Sequence, residues 1–181
     1  MKVSFKTILL FAGISILSLL LGVFTARWMA NNEAPPPTPE VSQINVPKLR
    51  PAFSMSDLEG NIRHIQEWDN KVIVLNFWAT WCPPCLKEMP TFVELREELS
   101  DQPFEIIGVA IDQPDPVQDF VDQLGVEYPI LLGEKTGIRL MQDYGNQLST
   151  LPYTVIIDRQ QEIVKVFRKE VSRQDILDVI G

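Results

Sequence analysis

VLNFWATWCPPCLKEMP, residues 74–90, holds the only two cysteines of the chain, three positions apart with Pro83 and Pro84 between them. Just before it, KVIVLNFW (71–78) is a continuous apolar run rich in β-branched residues. Such a run predicts a strand buried on both faces. Just after it, Cys85, Met89, Phe92, Leu95 and Leu99 recur at three- and four-residue spacing, which predicts one apolar stripe of a helix. Pro90 lies inside that stripe and predicts a kink. The cysteines therefore fall where a buried strand hands over to a helix.

Three chemistries compete for a pair at this spacing. Structural zinc needs four ligands, and the chain offers two cysteines and one histidine, His64, so no metal site is expected. Haem attachment needs a histidine directly after the second cysteine, and Leu86 stands there. A disulfide across so short a loop constrains the unfolded chain very little, which makes it a poor staple. A working redox pair remains. The helix N-terminus carries partial positive charge and free N–H groups, and both favour a thiolate at Cys82. Cys82 is thus the expected nucleophile, and Cys85, one turn in, the resolving thiol. Pro83 and Pro84 suit the first helical positions, where their missing N–H groups cost nothing. They also remove amides that would stabilise the thiolate, which points towards a reductant. No cofactor is expected.

The rest of the chain reads as alternating elements. FSMSDLEGNIRHI (53–65) predicts a hairpin around Glu59-Gly60-Asn61, with His64 on its surface. FEIIGVAID (104–112) and YPILL (128–132) predict strands. Asp115 is the expected cap of a helix that starts at Pro116, carries Val117, Phe120, Val121 and Leu124 on one face, and stops at Gly125. Residues 137–144 predict a helix with Ile138, Met141 and Tyr144 inward; Tyr144 and Tyr153 suit either the core or the rim of the site. YTVIID (153–158) and EIVKVFRK (162–169) predict a hairpin, and a last helix starts at Ser172. The pattern is that of an α/β sandwich.

Residues 7–26 carry no charge over 20 positions. A helix of that length spans roughly 30 Å, the thickness of a bilayer core. The run is longer than a signal-peptide core, and Phe24 and Trp28 spoil the nearest cleavage sites. Residues 1–30 are therefore expected to be an uncleaved anchor. Lys2 and Lys6 place the N-terminus inside and the bulk of the chain outside. Six prolines in 31–51 predict an extended spacer, with a reach on the order of 60 Å. The folded domain is then expected over 52–181. Beyond residue 26, 14 basic residues face 24 acidic ones, a net charge of −10, which argues against nucleic acid as a partner.

FWATWCPPC behind an apolar strand, Pro90 five residues after Cys85, and LPYTVIID further on together resemble the thioredoxin superfamily. VLNFWATWCPPC, Glu88, Pro90 and VAID are similar to its membrane-tethered TlpA/ResA-type thiol–disulfide oxidoreductases. The resemblance covers about residues 52–181 and implies a three-layer sandwich with a helix and strand inserted at about 113–135. It implies a reversible Cys82–Cys85 disulfide and a cis peptide bond before Pro152. It further implies a partner-binding surface at Trp81, Pro83, Leu151 and Pro152, with Trp78 and Trp81 flanking the motif. Asn76 stands where thioredoxin has a buried acid, and Glu88 matches an acidic residue of the branch that can move protons for Cys85. The implied partners are disulfides of extracytoplasmic proteins on one side and a membrane thiol donor on the other. The implied location is the cell membrane, with the domain facing the periplasm or the exterior.

Two narrower or different functions bear comparison. Relatives of the branch reduce apocytochrome c or help to assemble copper sites. Peroxiredoxins share the core fold, but they need Pro and Thr or Ser where this chain has Leu75 and Ala79, so the groups that polarise a peroxide are missing.

Overall fold

A strand buried on both faces needs helices on both sides of its sheet, and the computed structural model supplies them. It describes residues 46–181 together with residues 18, 21, 22, 25 and 27. The chain divides into two compact units, Met1–Gln43 and Ile44–Gly181. In the first, the five described residues are helical. Among the described residues no helix is long and apolar enough to cross a membrane. Most of the span expected over 7–26, and residues 31–45 of the expected spacer, lie outside the described residues.

The second unit runs β1 (Ser54–Asp57), β2 (Ile62–His64), a 3-10 turn (Ile65–Trp68), β3 (Val72–Trp78), α1 (Pro83–Glu98), β4 (Phe104–Ala110), α2 (Pro114–Leu124), β5 (Ile130–Leu132), α3 (Glu134–Asp143), β6 (Tyr153–Ile157), β7 (Ile163–Phe167) and α4 (Arg173–Ile180). The described strands form one sheet in the order β2-β1-β5-β4-β3-β6-β7. β3, β4 and β5 are parallel, and the remaining pairs are antiparallel.

Alternation along β3 explains the layers. Val74 and Trp78 pack with Met89 and Phe92 of α1, Val117 of α2 and Ile176 of α4. Ile73, Leu75 and Phe77 point the other way, onto Leu140 and Met141 of α3 and onto Ile65 and Trp68 of the 3-10 turn. The sheet is thus covered twice, as the apolar runs require. The helix and strand expected at about 113–135 are α2 and β5.

Several boundaries differ from the sequence expectation. α2 starts at Pro114 with Gln113 as its N-cap, so Asp115 lies in the first turn instead of capping it. Both prolines suit a helix start, and Asp115 gains from the positive helix end. Its stop at Gly125 is as expected, with φ 69°. α3 starts at Glu134, before the expected 137, and Tyr144 is its C-cap. Residues 65–68 turn as a 3-10 helix instead of ending the hairpin, burying Ile65 and Trp68. Ordered contacts also begin before residue 52: Leu49 bridges Glu162, and Ile163 N–H donates to Lys48 O at 2.8 Å. His64 is exposed on β2. Tyr144 and Tyr153 are both fully buried, and so belong to the core.

Candidate active site

Cys82 is the N-cap of α1, in extended backbone with φ −103° and ψ 95°, and Pro83 and Pro84 open the helix. Cys82 and Cys85 are joined by a disulfide, with Cα atoms 5.3 Å apart. Cys85 is fully buried, whereas Cys82 is 5% exposed. Trp81 beside it is 64% exposed, and Pro83 is also exposed. The turn from β3 into α1 is tied to the end of β4: Thr80 N–H donates to Asp112 Oδ2 at 2.9 Å, and the Thr80 hydroxyl donates to the same oxygen. An N-cap side chain accepts from the N2 or N3 amide. Pro84 at N2 has no N–H, so the Cys85 amide is the donor of this turn left for a Cys82 thiolate.

β6 brings the second half of the site. Phe77 pairs with Tyr153 and Asn76 with Thr154, so Pro152 lies level with Trp78, at the end of the sheet that carries the cysteine turn. The Leu151–Pro152 bond is cis. Pro152 is buried, and Leu151 is half-buried against both cores. The residues expected to meet a partner, Trp81, Pro83, Leu151 and Pro152, thus converge on one end of the sheet. Trp81, Pro83 and Leu151 offer the accessible surface there.

Glu88, one turn beyond Cys85 on the same helix, is 1% exposed. One carboxylate oxygen accepts from Asn76 Nδ2 at 2.7 Å, and the other accepts from Val171 N–H at 2.9 Å. Asn76 Nδ2 also donates to Thr154 Oγ1 at 3.0 Å. Burial pushes the Glu88 carboxyl up to about 7, the two donated hydrogen bonds oppose it, and the charge of Glu170 adds to it. A buried carboxyl that titrates near neutrality can take and return a proton at the working pH. Its influence extends to Tyr128, whose phenol is pushed up by burial and then by the Glu88 charge.

The resemblance singled out Glu88, three residues after Cys85 on the helix. It did not find Val171, which reaches Glu88 from 83 positions away, or Thr154, which meets Asn76 from 78 positions away. Asp112 carried one signal, its place at the end of a strand that neighbours the motif strand.

The Redoxin family profile matches residues 46–180. The chain is 39% identical over 123 residues to the thiol-disulfide oxidoreductase ResA of Halalkalibacterium halodurans, covering 67% of this chain and 68% of that one. The fold is similar to a crystal structure of a thioredoxin-family thiol:disulfide interchange protein from Chlorobium tepidum, with TM-score 0.66 and 26% identity, covering 74% of this chain and 94% of that one. It is similar also to a secreted thiol-disulfide isomerase from Corynebacterium glutamicum, with TM-score 0.66 and 29% identity over 71% of this chain and 81% of that one.

Proposed function

The chain belongs to the Redoxin family, and from that premise we propose that it reduces disulfides of extracytoplasmic proteins through its Cys82–Cys85 pair. It is a thioredoxin-like thiol–disulfide oxidoreductase. The observation that carries the roles is the asymmetry of the pair, and the direction follows from Pro83 and Pro84 at the helix end. Cys82 caps a helix beside exposed Trp81, while Cys85 is sealed next to a buried carboxyl.

In the reduced protein the Cys82 thiolate accepts from the Cys85 amide and attacks one sulfur of the partner disulfide. A mixed disulfide forms, and the partner's other sulfur leaves as a thiolate and takes a proton. Cys85 then gives its proton to the Glu88 carboxylate and attacks Cys82 Sγ. The partner's remaining sulfur leaves as a thiolate, and Cys82–Cys85 is left oxidised. Two electrons have passed to the partner; of the two protons its thiols take up, one comes from Cys85 by way of Glu88 and the other from solvent. Protonated Glu88 is a donor, and reversal of the Asn76 amide would turn its Oδ1 to accept; that oxygen has no hydrogen-bond partner among the described residues. Return to the dithiol needs a thiol donor, which for this chain we assign to the membrane.

Trp81, Pro83, Leu151 and Pro152 form the partner surface, with the backbone beside Pro152 pairing to the partner's extended peptide. The domain plan is an anchor over 1–30, then a spacer that ends before residue 46, where the redox domain begins. The uncharged run 7–26 and the positive residues before it support a catalytic domain held outside the cell membrane. A secreted relative among similar structures is consistent with that side of the membrane.

Trapping tests the reading. A Cys85→Ser variant, expressed at full length in its own host, should accumulate a mixed disulfide between Cys82 and its partners, and Cys82→Ser should accumulate none. A trapped apocytochrome c or copper-site protein would narrow the substrate to that assembly. Equal trapping by both variants would contradict the assigned roles.

A further inference from the structure

Residues 46–51 lie at the start of the folded unit, yet they are stitched to the base of the loop that leads to Pro152. The segment runs beside the β6–β7 turn: Arg50 N–H donates to Gln161 O at 2.9 Å, and Lys48 pairs with Glu162 at 2.9 Å. Arg50 is 9% exposed and forms an ion pair with Asp69. The Tyr144 hydroxyl donates to Pro51 O at 2.8 Å. Val46 presses on Gly145: a side-chain carbon at Gly145 would lie 2.9 Å from Val46 Cγ2 and 3.0 Å from its Cα. Gly145 has φ 98°, so both its conformation and this close approach require glycine.

From Gly145 the chain runs straight into the loop 146–151. Arg168 reaches Gly145 O at 3.3 Å and stacks over the Tyr153 ring, and the Tyr153 hydroxyl donates to Tyr144 O at 2.7 Å. Asn146, 2% exposed, closes the loop by donating to Thr150 O at 2.7 Å. At its tip stands Leu148, 81% exposed, and at its end Leu151 and Pro152. The loop is therefore braced at both ends, and at its start the brace is the 46–51 segment.

We propose that residues 46–51 are a positioning clamp, which holds the loop 146–151 so that Leu148, Leu151 and Pro152 meet a folded protein partner. The clamp acts on recognition of the partner and leaves the cysteine chemistry alone. It rests on the partner surface assigned above. It also makes the point where the spacer joins the domain part of the working enzyme.

The test uses the full-length reduced protein with Val46→Ser, Val46→Ile and Tyr144→Phe variants. Two probes separate chemistry from recognition: oxidised glutathione, which needs little surface, and insulin, a folded protein disulfide. Val46→Ser and Tyr144→Phe should keep the glutathione rate constant within about twofold, while kcat/KM for insulin falls at least fivefold through KM. Val46→Ile should match the unsubstituted protein. An insulin reaction unchanged in both clamp variants overturns the proposal, and so does a parallel loss with glutathione. Should Tyr144→Phe not fold, Val46→Ser on the half-exposed segment decides alone. An unsubstituted protein that reduces neither probe overturns the disulfide-reductase reading itself, an outcome visible before any variant is compared.

Discussion

The Asn76 amide donates to the Glu88 carboxylate across 2.7 Å, joining β3 to α1 in a buried contact. In the proposed mechanism this carboxylate takes the proton of Cys85, and burial pushes the carboxyl up to about 7. The step in which Cys85 resolves the mixed disulfide should therefore slow as pH falls through about 7, because Glu88 must be ionised to accept the proton. A Glu88→Gln variant should lose that inflection and resolve about 10²-fold more slowly above pH 7. Stopped-flow release of the second partner thiol across the pH range measures it. An unchanged profile in the variant would remove Glu88 from the proton path.

Asn76→Asp places a second carboxyl against the first. Two carboxyls at hydrogen-bond distance resist joint ionisation, so the pair titrates as a unit with one step raised. The pH midpoint of the resolving step should rise by about one unit or more. A midpoint that stays in place would mean that Asn76 does not face the titrating group.

The same burial makes stability depend on pH in the sense opposite to an ion-paired carboxylate. Glu88 titrates at about 7 when folded and near its ordinary value of 4.5 when unfolded. The folded state binds the extra proton between those values, so its stabilising effect is complete below about 4.5 and is lost as pH rises through about 7. The full swing is of order 3 kcal/mol at 1.36 kcal/mol per unit. Urea melts of the unsubstituted protein at pH 4.5 and 8 should show it, and Glu88→Gln should flatten it. A swing of the same size in Glu88→Gln would place the buried proton elsewhere.

Much of this architecture was legible in the chain because local chemistry and tertiary context agree there. The run 71–78 could satisfy its burial only as a central strand, and Pro83-Pro84 could open only a helix. Gly125 could stop the following helix because it tolerates a positive φ. Legibility failed where a long-range contact decides. Arg50 sits in a proline-rich stretch that reads as spacer, yet it is buried against Asp69, 19 positions on. Glu88 reads equally as a solvated helix residue until Val171 and Asn76 close over it. The 3-10 turn at 65–68 hides in a hairpin pattern, because only packing on Phe77 and Leu75 draws Ile65 and Trp68 inward.

Close packing behind the site yields a further prediction. A side-chain carbon at Gly108 of β4 would lie 2.7 Å from Ile130 Cδ1 and 3.0 Å from Trp78 Nε1. Gly108→Ala must push β5 or the Trp78 indole aside, at a cost of about 1–3 kcal/mol. Chemical denaturation should show that loss, accompanied by a change in tryptophan emission. A variant as stable as the parent would mean that the β4–β5 contact yields freely.

The central claim is that the pair works as a reductant. Pro83 and Pro84 remove two amides from the helix end, which leaves the Cys82 thiolate less stabilised and the disulfide correspondingly harder to reduce. Equilibration of the protein against glutathione buffers, followed by Trp78 and Trp81 fluorescence, gives the reduction potential directly. A value nearer to thioredoxin, at about −270 mV, is expected. A value near that of a strong periplasmic oxidant, at about −120 mV, would contradict the claim.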